Sequence, residues 1–96
     1  MSKLVRDRVP EILQSTGASP KFHVASEEEF EAKLREKLIE EAREFSANGE
    51  IEELADILEV IRTFCELKNT SPDELESIRL KKAEERGSFS RRLIRD

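Results

Sequence analysis

Hydrophobic and polar positions along this 96-residue chain change period several times, and each change marks an element. Between Ser26 and Ala47 the apolar residues Phe30, Leu34, Leu38, Ala42 and Phe45 recur every three or four positions, the signature of an α-helix with one covered face. From Glu50 to Lys68 the apolar set is denser: Ile51, Leu54, Ala55, Ile57, Leu58, Val60, Ile61, Phe64, Cys65 and Leu67 cover an arc of about 240°. A helix so wide in its apolar face has packing partners on several sides. By contrast, KFHVA (21–25) alternates with β-leaning residues over a length that suits one short strand, and RRLI near the end is a candidate partner for it over 91–95.

Local punctuation bounds these elements. Pro10 suits a first helical position and Gly17 a left-handed stop, which predicts a short helix over 10–16. Ser26 with Glu29 three residues on forms a capping box for the long second helix, and Asn48-Gly49 ends it. Asn69 serves as a left-handed stop for the third. Ser71, Pro72 and Glu74 start a fourth, which closes at Arg86-Gly87. Because the second and third helices are joined by only a few residues, they are expected to lie antiparallel. The expectation is a mainly all-α chain of about four helices forming an antiparallel bundle in a single domain over 1–96, with one short β pairing between 21–25 and 91–95.

Composition narrows the function classes. A net charge of −5 argues against non-specific nucleic-acid binding, and no apolar run is long enough for a membrane span or a secretory leader. Cys65 alone cannot form an intrachain disulfide, so a reducing cytoplasmic setting is expected; it and the lone His23 are read as structural. An apolar fraction of 36% is modest for an isolated core, which makes a homodimer or a higher homo-oligomer an expectation. The wide apolar arc of the third helix points the same way, as does Ile39 on the polar side of the second.

Charge is distributed unevenly: the middle of the chain is acidic, while Lys3, Arg6 and Arg8 near the front and Lys82 and Arg86 near the back are basic. Acids that merely face solvent should fall opposite the apolar stripe, yet in helical projection Glu41 falls inside the stripe of the second helix and Glu53 inside that of the third. Glu44 and Asp56 follow each by three residues and border the same faces. Two such i, i+3 pairs on antiparallel helices can point at each other, and two unneutralised charges about 5 Å apart would repel by roughly 3 kcal/mol at an effective dielectric near 20. Protons, neighbouring bases such as Lys37, or a cation can relieve this. A set of hard oxygen donors suits Mg²⁺ or Mn²⁺.

The motif EExxEF followed by EELADILEVI resembles the all-α nucleoside triphosphate pyrophosphatase superfamily, which includes MazG-like proteins. The opening KLVRDRVPEIL and the later KAEERGSF are similar to the small MazG-like, phosphoribosyl-ATP pyrophosphohydrolase-like group. The resemblance implies a helical, oligomeric protein that uses Mg²⁺ to hydrolyse the bond between the α- and β-phosphates of a nucleotide, releasing a monophosphate and pyrophosphate. It further implies Glu41, Glu44, Glu53 and Asp56 as metal ligands and Glu40 and Glu41 as the acids nearest the chemistry. Lys3, Arg6, Arg8, Lys82 and Arg86 would contact substrate phosphates. A non-catalytic helical dimer with a regulatory or nucleotide-binding role is the alternative.

Overall fold

The structure, a computed structural model, describes residues 2–96. It is helical: α1 is Val9–Ser15, α2 Glu27–Asn48, α3 Ile51–Leu67 and α4 Pro72–Arg86. The backbone packs as two compact units, a first ending at Ile61 and a second over Arg62–Asp96. Among the described residues no helix is long and apolar enough to cross a membrane.

The first unit contains α1, α2 and the first three turns of α3. Helix α1 begins one residue before the expected start: Val9 is already helical and Arg8 is its cap, within the usual looseness of helix ends. Gly17 at φ +84 closes the turn that follows. Helix α2 starts at the Ser26 hydroxyl, which accepts the Glu29 N–H at 3.3 Å. The Glu29 carboxylate takes a tertiary partner, the Nε2–H of His23 at 2.8 Å. Glu29 therefore ties the preceding segment onto α2.

Gly49 ends α2 at φ +67, where its N–H reaches the Phe45 carbonyl at 2.7 Å. Asn48 then bridges the turn, because its side-chain oxygen accepts the Glu50 N–H at 2.8 Å while the Glu50 carbonyl accepts from Glu53 N–H. With so short a connection α3 runs back along α2, which brings Glu53 and Asp56 to Glu41. The first unit's most enclosed apolar side chains are Leu34 on α2, at 1% exposure, and Val60 on α3. The apolar arc of α3 is divided: Ile57, Val60 and Ile61 are covered to differing degrees, but Ile51, Leu54 and Leu58 stay exposed, Ile51 by 75%. Ala42, placed in the covered stripe of α2 by its spacing, is exposed as well.

The second unit holds the end of α3, with Cys65 buried as a free thiol, and α4. Asn69 at φ +53 stops α3 in a Schellman motif: Thr70 N–H bonds the Cys65 carbonyl and Asn69 N–H the Glu66 carbonyl. Helix α4 opens with the full reciprocal capping box of Ser71 and Glu74, with Pro72 in its first turn. Its exposed surface carries an Arg79–Glu76 ion pair one turn apart.

The expected β pairing does not form, since neither 21–25 nor 91–95 is a strand among the described residues. Arg92 sits at φ +59 and its N–H bonds the Phe89 carbonyl, so a left-handed turn interrupts the second segment and no continuous ladder can run through it. The first segment instead lines a cavity in the first unit.

Candidate metal centre

Five acids on facing helices of the first unit make the site. Glu40, Glu41 and Glu44 come from consecutive turns of α2, and each offers a carboxylate oxygen within 4.8 Å of the others. Glu41, Glu53 and Asp56 form a second such group across the α2/α3 pair. Glu41 belongs to both and is the member that joins them.

Burial separates their roles. Glu41 is 6% exposed, as its place inside the apolar stripe predicts, while Glu40, Glu53 and Asp56 are half-buried and Glu44 faces solvent. Burying a carboxylate costs several kcal/mol unless it is paired and hydrogen-bonded. Lys37 offsets part of that cost: its ammonium lies 3.5 Å from Glu41 Oε1 and 3.6 Å from Glu40 Oε2. It does not complete the site. Glu41 Oε2 and Glu53 Oε2 are both buried with no hydrogen-bond partner, and their carboxylates belong to the same three-acid group. A lone pair kept from water without a donor is an unmet demand for positive charge.

The remaining oxygens are held in place. Asn48 Nδ2 donates to Glu53 Oε1 at 3.3 Å, so the residue that bridges the α2/α3 turn also orients an acid of the site. From the sequence Asn48-Gly49 reads as the helix stop and the turn that folds one acidic pair back on the other; the hold of the Asn48 side chain on Glu53 depends on where α3 returns. Hydrogen bonding with Glu53, followed by the charge of Glu41, holds the Glu44 carboxyl above its ordinary range.

Two cations from the N-terminal arm close the outer side. Arg6 reaches Asp56 Oδ1 at 2.7 Å, and Lys3 reaches Glu40 Oε1 at 3.4 Å. Both side chains remain more than half exposed, so these pairs are adjustable and individually worth under about 1 kcal/mol. Arg8, grouped with them by sequence, instead pairs with Glu11 at the start of α1. Lys82 and Arg86 lie on exposed α4 in the second unit, four residues and one helical turn apart.

Clustered hard oxygen donors, two of them buried without partners, fit a divalent cation of the Mg²⁺, Mn²⁺ or Ca²⁺ kind and suit a soft metal poorly. Comparison with known proteins adds little chemistry. No family model and no solved structure matches the chain. An uncharacterized protein of Mycolicibacterium smegmatis (strain ATCC 700084 / mc(2)155) is 43% identical over 47 residues, which make up 49% of this chain and 48% of that protein. The chain thus matches about half the length of that relative.

Proposed function

We propose that the protein is a Mg²⁺-dependent nucleotide pyrophosphohydrolase, an enzyme of the MazG-like kind that acts on an acid anhydride. It would cleave the α–β phosphate bond of a nucleoside triphosphate or related nucleotide to give a monophosphate and pyrophosphate. The observation that carries this reading is the pair of orphaned oxygens, Glu41 Oε2 and Glu53 Oε2, buried between facing helices with cationic side chains at their border.

Glu41, Glu44, Glu53 and Asp56 would hold the metal, Mg²⁺ or alternatively Mn²⁺. Once bound, the ion supplies positive charge to the phosphate oxygens as negative charge grows on them. Lys3 and Arg6 already lie against the outer acids and are placed to exchange a carboxylate for a phosphate oxygen. In the reaction, water adds its oxygen to one phosphorus, the bridging oxygen leaves on the other, and the water proton passes to a carboxylate. Glu40 and Glu41 are the acids we assign to orienting that water; Glu40 is half-buried between Lys3 and Lys37.

A second copy of the chain, in a homodimer or higher homo-oligomer, would cover Ile51, Leu54 and Leu58, which follow one another at i, i+3 and i+7 on the exposed side of α3. The free, buried Cys65 agrees with a cytoplasmic setting.

The test is pyrophosphate release from a panel of nucleoside triphosphates with Mg²⁺, compared with Glu53→Gln. Release by the wild type, lost in the variant and in excess chelator, is expected. Full turnover in Glu53→Gln or with chelator would refute the assignment. Tight metal and nucleotide binding with no turnover on any substrate would favour the regulatory, non-catalytic reading.

A further inference from the structure

The first unit contains a cavity of about 660 Å³. Its walls come from the arm, from the 21–25 segment and from the first turns of α2. This size lies within the range of small-molecule sites, roughly 300–1,000 Å³. The lining includes aromatic rings, aliphatic groups and charges of both signs, Asp7 and Glu29 being its acids. Phe22 and Phe30 contribute aromatic rings, while Lys3, Arg6 and Lys33 contribute cations. His23 is fixed at the wall by its hydrogen bond to Glu29, and Lys33 holds the arm by donating to the Ser2 carbonyl at 3.1 Å.

The decisive feature is that Lys3 and Arg6 belong to both places. Each lines the cavity, and each ends on an acid of the candidate metal centre, Glu40 or Asp56. A ligand in the cavity would therefore present any phosphate tail to these two cations before it met the carboxylates. Aromatic rings offer a face for a flat π-system, and stacking of a base on an aromatic side chain is sequence-tolerant and substantial. We propose that this cavity receives the nucleoside portion of a nucleotide whose phosphates extend past Lys3 and Arg6 to the acids. The assignment rests on the nucleotide pyrophosphohydrolase reading and adds to it where the base and sugar sit.

Two probes separate the cavity from the phosphate site: α,β-methylene analogues of purine and pyrimidine nucleoside triphosphates, which resist hydrolysis at that bond, and inorganic tripolyphosphate, which has no nucleoside. Their affinities for the full chain with Mg²⁺ are measured by calorimetry for wild type, Phe22→Ala and Phe22→Leu. Phe22 is 44% exposed, so its truncation leaves the helices intact, and Phe22→Leu keeps the aliphatic bulk while removing the ring. At least one analogue should bind wild type about tenfold or more tighter than tripolyphosphate. Both variants should lose most of that advantage, with tripolyphosphate affinity changed by less than about twofold. Analogues that bind no tighter than tripolyphosphate overturn the proposal, as does a Phe22→Leu variant that keeps the full advantage or weakens both probes equally. Failure of wild type to bind either probe overturns the nucleotide reading itself, and the cavity assignment with it.

Discussion

Glu53→Gln should make the metal-free protein more stable while abolishing its response to Mg²⁺. Oxygens of Glu41, Glu53 and Asp56 lie within 4.8 Å of one another. Two full negative charges at that separation repel by about 3.5 kcal/mol at an effective dielectric near 20. Arg6 offsets Asp56 and Lys37 offsets part of Glu41, and Glu53 is only half-buried, so about 1–2 kcal/mol should remain to be relieved. Glutamine keeps an oxygen for Asn48 and adds an N–H₂ that can reach the orphaned Glu41 Oε2. For a domain of this size each kcal/mol moves the melting temperature by about 4–8 °C.

The metal side of this prediction has its own magnitude. If the site binds Mg²⁺ with a dissociation constant of about 1 mM, then about 10 mM Mg²⁺ stabilises the wild type by about 1.4 kcal/mol. Thermal melts followed by circular dichroism in EDTA and in MgCl₂ read both effects, with NaCl at matched ionic strength to account for simple screening. The expected pattern is a higher melting temperature for Glu53→Gln in EDTA and a Mg²⁺ shift in the wild type alone. A variant that melts lower in EDTA, or that keeps the wild-type Mg²⁺ shift, would refute the reasoning.

Four further expectations test other parts of the site and fold. The folded state holds the Glu44 proton more tightly than the unfolded chain, so its contribution favours folding below the ordinary value of 4.5 and is lost as pH rises above it; urea titrations in EDTA should show wild type losing stability relative to Glu44→Gln as pH climbs from about 4. Arg6→Ala removes the counter-ion of Asp56 and should tighten Mn²⁺ binding about two- to fivefold by calorimetry, whereas unchanged or weaker binding would remove Arg6 as a competitor for that acid. Gly49→Ala forces a Cβ into φ +67, where nothing lies within 4 Å to clash, so its cost should be the left-handed strain alone, about 1 kcal/mol by urea unfolding. Leu58→Glu places a charge on the exposed face of α3 and should halve the sedimenting mass, and a wild type that sediments as a monomer would contradict the homodimer.

What the chain declares by itself is local. The hydroxyls of Ser26 and Ser71, Gly49 in its left-handed turn and Asn69 in its Schellman motif all act within about one helical turn, so the residue string is enough to place the helix ends. The burial of Glu41 was legible too, because helical period alone puts it on the same face as Leu34. Alternation in 21–25 was a poorer guide, since a segment that lines a cavity can alternate in the same way as a strand, and the left-handed turn at Arg92 interrupts the other segment.

Partner choice required the tertiary structure. Lys3 meets Glu40 across 37 positions and Arg6 meets Asp56 across 50, while Arg8, in the same basic cluster, turns to Glu11 three residues away. Glu29 takes His23 in addition to lying one turn inside its own helix cap, and Asn48 reaches Glu53 only because α3 doubles back beside it. Helical period says which acids face inward; only the return of one helix against another decides which oxygens are left without a partner, and those oxygens define the site.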